Sequence, residues 1–260
     1  MSLLNAAVAV LETADPAAKA EASHRAAEAW RAGDLVVGTG SPPDRPARPS
    51  RPLLLAPKEM PKRKAGGNAA KRTALLHALA HIELNAIDLA WDLIARFGTA
   101  DTPRAFFDDW VKVADEEALH FQMLSARLQE LGSFYGDLPA HDGLWEAATV
   151  TANDLLARLA IVPLVLEARG LDVTPGTVAD MSRAGDEATA ALLERIYKDE
   201  IGHVAAGMRW FVTFAQEAGH DPQQHWQALL KQYFRGTLKP PFNNTARAAA
   251  GMPSSYYLQQ

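Results

Sequence analysis

The sequence predicts an all-α protein built around a four-helix bundle with one crossover connection. Apolar residues recur at three- and four-residue steps over four long segments, and no period-2 segment of strand length competes with them. Turns that contain glycine or proline join these segments in pairs. Two helical hairpins joined by a long connection describe this topology.

Cap and turn residues mark the boundaries of the four helices. Gly98 ends the first helix, and Thr102 and Pro103 supply an N-cap and a first helical residue for the second. Gly132 follows the end of the second helix, and Asp186 opens the fourth. The predicted helices therefore begin at about residues 68, 103, 145 and 186.

The chain divides into three predicted segments: a helical leader with a proline-rich basic arm (1–67), the bundle (68–221), and a C-terminal helix with an irregular tail (222–260). The leader is rich in alanine, and Asp15 and Pro16 form a cap and first turn between two short helices. The arm holds seven prolines after residue 38 and should therefore be extended rather than helical.

Composition limits the chemistry that the chain can perform. The absence of cysteine excludes disulfides, thiolate metal sites, iron–sulfur clusters and a cysteine nucleophile. Any metal must therefore be held by His, Asp and Glu. The formal net charge of −5 is unevenly distributed, because residues 44–72 contain nine basic and two acidic residues (+7) and the remainder carries −12.

The basic arm, residues 44–72, has two interpretations. It can be a strap that neutralises the acidic bundle, which we favour, or it can contact RNA phosphates. No apolar run approaches the length of a membrane span, and the N-terminus lacks the basic region of a signal peptide. We therefore expect a cytoplasmic protein with no membrane partner.

Two Glu-x-x-His motifs indicate a metal site. Glu117 and His120 lie on the second predicted helix, and Glu200 and His203 lie on the fourth. Because three residues are close to one helical turn, the carboxylate and imidazole of each motif project from one face and can bind the same metal ion or adjacent ions.

Two further Glu-x-x-His matches, at 21–24 and 217–220, are assigned to the surface. The second match lies 17 residues beyond Glu200, about 25 Å along the same helix, and Gly219 ends that helix. The first lies in the leader and has no partner motif at matching spacing.

The spacing of the glutamates indicates a doubled helical hairpin. Glu117 and Glu200 are 83 residues apart, and two lone glutamates on the first and third helices, Glu83 and Glu167, are 84 apart. The step from the lone glutamate to the motif is 34 residues in the first half and 33 in the second. Two antiparallel helices folded near residue 100 would place Glu83 and Glu117 at the same level.

In the second half, the midpoint between Glu167 and Glu200 lies at residues 183 and 184, beside Gly185. Gly170 and Pro175 interrupt the helical pattern well before that point. We therefore predict that the third helix breaks between Gly170 and Pro175, beside Glu167, and turns back only at Gly185. The irregular backbone is the expected substrate opening.

Four carboxylates and two imidazoles make an oxygen and nitrogen donor set for two divalent metal ions, iron in preference to manganese. Their four negative charges balance two doubly positive ions, and without metal they would be mutually repelling buried groups. The donor set matches the known ligand pattern of dinuclear helical bundles and is taken from that pattern. The predicted ligands are Glu83, Glu117, His120, Glu167, Glu200 and His203.

Residues near the ligands have supporting or alternative roles. Glu116 and Asp199 each precede a ligand glutamate and could orient a facing histidine, although for Asp199 an ion pair with a basic neighbour is equally compatible. Tyr197, one turn before Glu200, could donate into the site or pack in the core. His77 and His81 lie off the face of Glu83 and are interpreted as polar helix neighbours.

Five segments around these positions carry a resemblance to a known family. On them the sequence resembles the DUF455 family of ferritin-like proteins, and the likeness covers most of the chain. The resemblance implies a ferritin-like fold with a di-iron site, similar in fold to the tRNA-modifying hydroxylase MiaE. The segments are His77–Glu83, Asp109–Lys112 with Asp115–His120, Pro139–Trp145, Leu166–Asp172 and Asp199–His203.

The expected function is that of a non-haem di-iron oxidoreductase that activates O₂ and hydroxylates or otherwise oxidises an unidentified substrate, with electrons from an external donor. Metal sequestration without turnover, an RNA-base hydroxylase similar to MiaE, and a helical bundle with an interaction role stay open as alternatives. Because a proline-rich leader fits poorly on a storage shell, we expect a monomer or homodimer.

Overall fold

The computed structural model describes residues 1–60 and 69–258. In these ranges helices account for all regular secondary structure apart from two isolated β-bridges, which confirms the predicted all-α class. The chain divides into two compact units, Met1–Glu146 and Ala147–Gln260. The extended chain predicted at 61–67 lies outside the described residues.

The first unit contains the leader and the first hairpin. Asp15 caps the second leader helix as predicted, since its side chain accepts a hydrogen bond from the backbone N–H of Ala18 at 2.8 Å. Gly98 follows the first hairpin helix, where a Cβ atom would lie 2.5 Å from the carbonyl oxygen of Ile94. The helices are α1 (Leu3–Leu11), α2 (Pro16–Ala32), α3 (Ala69–Phe97) and α4 (Arg104–Glu130).

The predicted N-cap at Thr102 is wrong. Helix α4 begins at Arg104, and Pro103 occupies the N-cap position without a side-chain hydrogen bond. The hydroxyl of Thr102 accepts instead from the backbone N–H of Thr99 at 3.0 Å, so it stabilises the turn rather than the helix.

The second unit contains the second hairpin and the tail, and the helix before it, α5 (Gly143–Val150), crosses the boundary between the units. The third predicted helix is not continuous from residue 145, because α5 ends at Val150 and a new N-cap follows at Asp154, whose side chain accepts from the N–H of Ala157. The elements are α6 (Leu155–Ile161), a π-helix (Val162–Glu167), α7 (Ala168–Arg183), α8 (Glu187–Glu217), α9 (Pro222–Tyr233) and α10 (Asn244–Ala249).

The predicted break between Gly170 and Pro175 is wrong. Helix α7 runs through both residues, and the irregular winding comes earlier, in the π-helix that ends at Glu167. Pro175 cannot donate to the carbonyl of Leu171 four residues before it. That carbonyl accepts instead from the side-chain amide of Asn243 at 3.1 Å, so the loss of the proline donor does not leave it unsatisfied. The predicted turn at Gly185 is confirmed by its φ of 75°.

The described part of the basic arm contacts the first unit. Arg48 lies 2.7 Å from a carboxylate oxygen of Asp88, and Arg45 lies 2.5 Å from one of Asp142. Backbone N–H of Leu55 donates to the carbonyl of Ala140 at 2.8 Å. These contacts support the strap interpretation for this stretch, while RNA contact stays a prediction.

The leader docks on α3 through a buried lysine. Lys19 is fully buried, donates to the carbonyl of Leu11 at 3.3 Å and pairs with the fully buried Asp88. Burial lowers the pKa of Lys19, although the charge of Asp88 opposes the shift. The pair therefore binds the leader to the helix that carries Glu83.

Replacing Lys19 is expected to destabilise the protein. Lys19→Met should lower the free energy of unfolding by about 2 kcal/mol, because Asp88 stays buried with Arg48 as its remaining cation. Arg25→Met, which removes the exposed pair with Glu21, should change it by less than about 0.5 kcal/mol. Urea denaturation of both variants measures the difference, and equal effects would contradict the assigned role of Lys19.

None of the helices described in residues 1–60 and 69–258 combines the length and apolar character needed to cross a bilayer.

Candidate metal centre

Helices α3 and α4 pack against each other and bring three predicted ligands together. Glu83 on α3 and Glu117 and His120 on α4 form what we call the first ligand cluster. Each offers one ligand atom, and these atoms lie within 4.8 Å of one another. The two glutamates are therefore at the same level, as the spacing around residue 100 predicts.

The first ligand cluster is almost completely removed from solvent. Glu83 is 4% exposed, Glu117 1% and His120 0%. Nδ1 of His120 lies 3.3 Å from Oε2 of Glu83 and 3.6 Å from Oε2 of Glu117. Two carboxylates that share one imidazole in a buried space are costly unless protons or a cation balance them.

The pKa values of the cluster show this electrostatic cost. Burial, and then the charge of Glu117, raise the pKa of Glu83 well above its ordinary range, and the nearby imidazole of His120 opposes them only in part. Burial by itself would lower the pKa of His120, but the contacts with Glu117 and Glu83 outweigh it and raise the pKa to about 11. A metal-free cluster at neutral pH therefore holds protons that a bound cation would displace.

The donor atoms of the cluster fit a divalent metal. The set consists of carboxylate oxygens and an imidazole nitrogen, which suit iron, manganese and zinc. Oε2 of Glu83 is buried and accepts no well-aligned hydrogen bond from the described residues. A metal ion at this oxygen would remove the cost of an unsatisfied buried acceptor.

The second ligand set consists of Glu167, Glu200 and His203 in the second unit. Glu200 and His203 lie one turn apart on α8, with Nδ1 of His203 3.5 Å from Oε1 of Glu200. His203 is fully buried and Glu200 is 13% exposed. Glu167 is the last residue of the π-helix and is partly buried.

Close packing holds the π-helix beside α8. A Cβ atom at Gly207, four residues after His203, would lie 2.4 Å from Cβ of Pro163. Only glycine allows α8 to approach the π-helix this closely.

Comparison with known proteins gives the chain a family. The profile described as "Protein of unknown function (DUF455)" matches residues 12–258. The chain belongs to the DUF455 family. An uncharacterized protein of Haemophilus influenzae is 43% identical to this DUF455 chain over 210 residues, which are 79% of this chain and 73% of that protein. No solved structure is significantly similar to the present chain.

Three predicted supporting residues of the DUF455 chain have identified partners. Glu116 accepts from Lys112 at 2.8 Å, and Asp199 accepts from Arg195 at 2.7 Å, which is the ion pair considered as the alternative for Asp199. The hydroxyl of Tyr197 accepts from the side-chain amide of Asn243 at 3.0 Å. Their roles toward a metal remain predictions.

His77 and His81 lie outside the group of residues that could hold a metal ion, and the structure also gives both of them partners beyond α3. Both are buried and bind the connection between α4 and α5. Nε2 of His77 accepts from the N–H of Gly136 at 2.9 Å, and His81 contacts the hydroxyl of Tyr135 at 2.8 Å and the carbonyl of His141 at 3.1 Å. Burial lowers the pKa of His81 to about 4. The imidazole is therefore uncharged at neutral pH when its two ring nitrogens form these hydrogen bonds.

Sequence reasoning missed a buried polar stripe on α3. The helical spacing of its members was visible in the sequence, and so was the pair of Asp92 with Arg96 four residues later. The partners of the other members were not, because they include residues of the arm, the leader and the α4–α5 connection. The stripe consists of His77, His81, Asn85, Asp88 and Asp92.

The two Glu-x-x-His matches of the DUF455 chain that were assigned to the surface, at 21–24 and 217–220, have other contacts. Glu21 is exposed and pairs with Arg25, while His24 contacts Asp115 at 2.6 Å. The ring of His220 stacks on that of His225 with centroids 4.1 Å apart.

Proposed function

We propose that this DUF455 protein binds two divalent metal ions, iron in preference to manganese, and uses O₂ and external electrons to hydroxylate or otherwise oxidise a substrate. The buried first ligand cluster carries the proposal, because Glu83, Glu117 and His120 offer ligand atoms within 4.8 Å of one another that could hold a metal ion. The proposed ligands are Glu83, Glu117, His120, Glu167, Glu200 and His203.

Charge balance supports a dinuclear centre. Four carboxylates cancel the charge of two doubly positive ions when the histidines are neutral, so the loaded protein would bury little net charge. No cysteine is present to bias the site toward softer metals. The preference for iron over zinc rests on the matching of the ligand pattern to dinuclear bundles.

The chain's own residues have defined tasks in this proposal. Glu83 and Glu117 would bind metal after losing their protons, and His120 would bind as a neutral imidazole. The near-complete burial of these three side chains would keep bulk water away from a metal bound there. When bound, the ions would supply the redox chemistry and a position for O₂.

We propose that the irregular backbone important for function is the π-helix rather than the segment after Gly170. This segment, Val162–Glu167, is the irregular backbone that directly precedes a proposed ligand. π-Helical segments occur frequently at functional sites.

An anaerobic titration tests the proposal. The purified protein should bind two Fe(II) ions per chain and, on exposure to O₂, develop an absorption band that the metal-free protein lacks. Size-exclusion mass and O₂ consumption with a chemical reductant separate the alternatives, because a large closed shell without continued consumption favours sequestration. Failure to bind either Fe(II) or Mn(II) would contradict a metal function.

A further inference from the structure

The 84-residue register of the two halves extends beyond the lone glutamates. Asp88 follows Glu83 by five residues, and Asp172 follows Glu167 by five residues. Both aspartates are buried, with exposures of 0% and 7%. The repeat therefore places a buried acid at the same distance after each proposed ligand.

Each of these aspartates is bound by an arginine from outside its hairpin. Arg48 of the basic arm lies 2.7 Å from Asp88, which also pairs with Lys19 of the leader. Arg247 of α10 makes a two-pronged contact with Asp172, with Nε at 2.9 Å and Nη2 at 2.7 Å from its two oxygens. Arg247 is 1% exposed, so this pair is fully sheltered from solvent screening.

The aspartates lie on the side of the helix away from the ligands. Five residues correspond to about 140° of rotation and about 7.5 Å of rise on an α-helix. The Asp–Arg pair therefore contacts the face of the helix opposite the glutamate, close to the turn that carries that glutamate. Rotation or sliding of that turn would break the pair.

The tail contacts around Asp172 join the two helices of the second ligand set. Nη2 of Arg247 donates to the carbonyl of Ala168, the residue after Glu167, at 3.4 Å. The side-chain amide of Asn243 donates to the carbonyl of Leu171 on α7 and to the hydroxyl of Tyr197 on α8. Arg169 also holds the tail, since it donates to the carbonyl of Lys239 at 2.6 Å.

We propose that Asp88 and Asp172, with Arg48 and Arg247, are equivalent positioning residues that fix the helical turns carrying Glu83 and Glu167. This inference rests on the proposed function. The need is greatest at Glu167, because the π-helix before it lacks the regular i to i−4 hydrogen bonds that set the register of an α-helix. The Asp172–Arg247 pair fixes the register of the helix from its C-terminal side, five residues after Glu167.

The test compares Fe(II) binding by a charge-neutral double variant with that of the wild type. D172N/R247M removes both charges together and keeps an oxygen that can accept from the N–H of Asn243, so the fold should keep its helical content and Tm. We expect anaerobic equilibrium dialysis to show the second Fe(II) ion bound at least about 10-fold more weakly. Mn(II) magnetic resonance should change from a coupled two-ion signal to an isolated-ion signal.

A matched control carries the same substitutions at another Asp–Arg pair whose aspartate is buried. D92N/R96M alters the buried Asp92 and its partner Arg96 within α3, nine residues beyond Glu83, and should keep both ions at wild-type affinity. A folded D172N/R247M protein with wild-type stoichiometry and affinity would overturn the inference.

The single variant R247K keeps the inference testable if the double variant does not fold. Lysine keeps the charge but not the planar two-pronged contact, so at least about 3-fold weaker binding of the second ion is expected. Wild-type affinity in R247K would also count against the inference. If the wild-type protein binds no metal, the proposed function itself fails, which is a different result.

Discussion

Metal affinity is expected to rise with pH between about pH 6 and pH 8, by up to about tenfold per pH unit for each proton released. Burial and the charge of Glu117 raise the pKa of Glu83, and contacts with both glutamates raise the pKa of His120 to about 11 against the opposing effect of burial. The metal-free cluster therefore binds protons at neutral pH, and the metal must displace them.

Competition with a chromophoric Fe(II) chelator at several pH values measures this dependence. Calorimetry in two buffers of different ionisation enthalpy gives the number of protons released. An affinity that does not change with pH would show that the cluster is already deprotonated and would contradict the electrostatic description.

The same shifts predict the opposite trend for the metal-free protein. Glu83 and His120 both have raised pKa values in the folded state, so the folded state binds more protons than the unfolded state. The stability of the metal-free protein should fall as pH rises above about 4.5 for Glu83 and above about 6.5 for His120. Thermal unfolding with and without Fe(II) should therefore diverge as pH increases.

Glu117→Gln is expected to reduce Fe(II) affinity by at least about 100-fold, since loss of a ligand should exceed the 10- to 100-fold cost of losing an outer partner. The substitution keeps the shape of a residue that is 1% exposed, so the loss would reflect the missing negative oxygen rather than a cavity. Elemental analysis after anaerobic loading and desalting measures the bound metal.

The Glu-x-x-His match in the leader, at 21–24, provides a control for this variant. Glu21→Gln makes the same chemical change in another Glu-x-x-His, where the glutamate is exposed and paired with Arg25. It should keep full metal content. Equal metal loss in both variants, or in neither, would contradict the assignment of Glu117 as a ligand.

Helix boundaries were predictable where the signal is local. Asp15 and Asp186 each accept a hydrogen bond from the backbone three residues later, and this depends on little beyond the neighbouring residues. The prediction failed at Thr102, where a hydrogen bond within the preceding turn competes with the cap. Local signals therefore predict a cap well only when no second local partner is present.

The break predicted at Gly170 and Pro175 failed for a non-local reason. Proline leaves the carbonyl of Leu171 without its helical donor, and the missing donor comes from Asn243, 72 residues away in the sequence. The π-helix, by contrast, coincides with Pro163 and with the close approach of Gly207 on another helix. Neither outcome can be read from the residues of the segment alone.

The sequence by itself determined the all-α class, the two Glu-x-x-His motifs, and the register that brings Glu83 level with Glu117, because helical periodicity and spacing are properties of adjacent residues. Only the tertiary structure decided the burial of that cluster and its raised pKa values, since these depend on everything packed around it. It also decided the partners of Asp88 and Asp172, which come from segments distant in sequence. Long-range contacts of this kind leave no local pattern by which they could have been predicted.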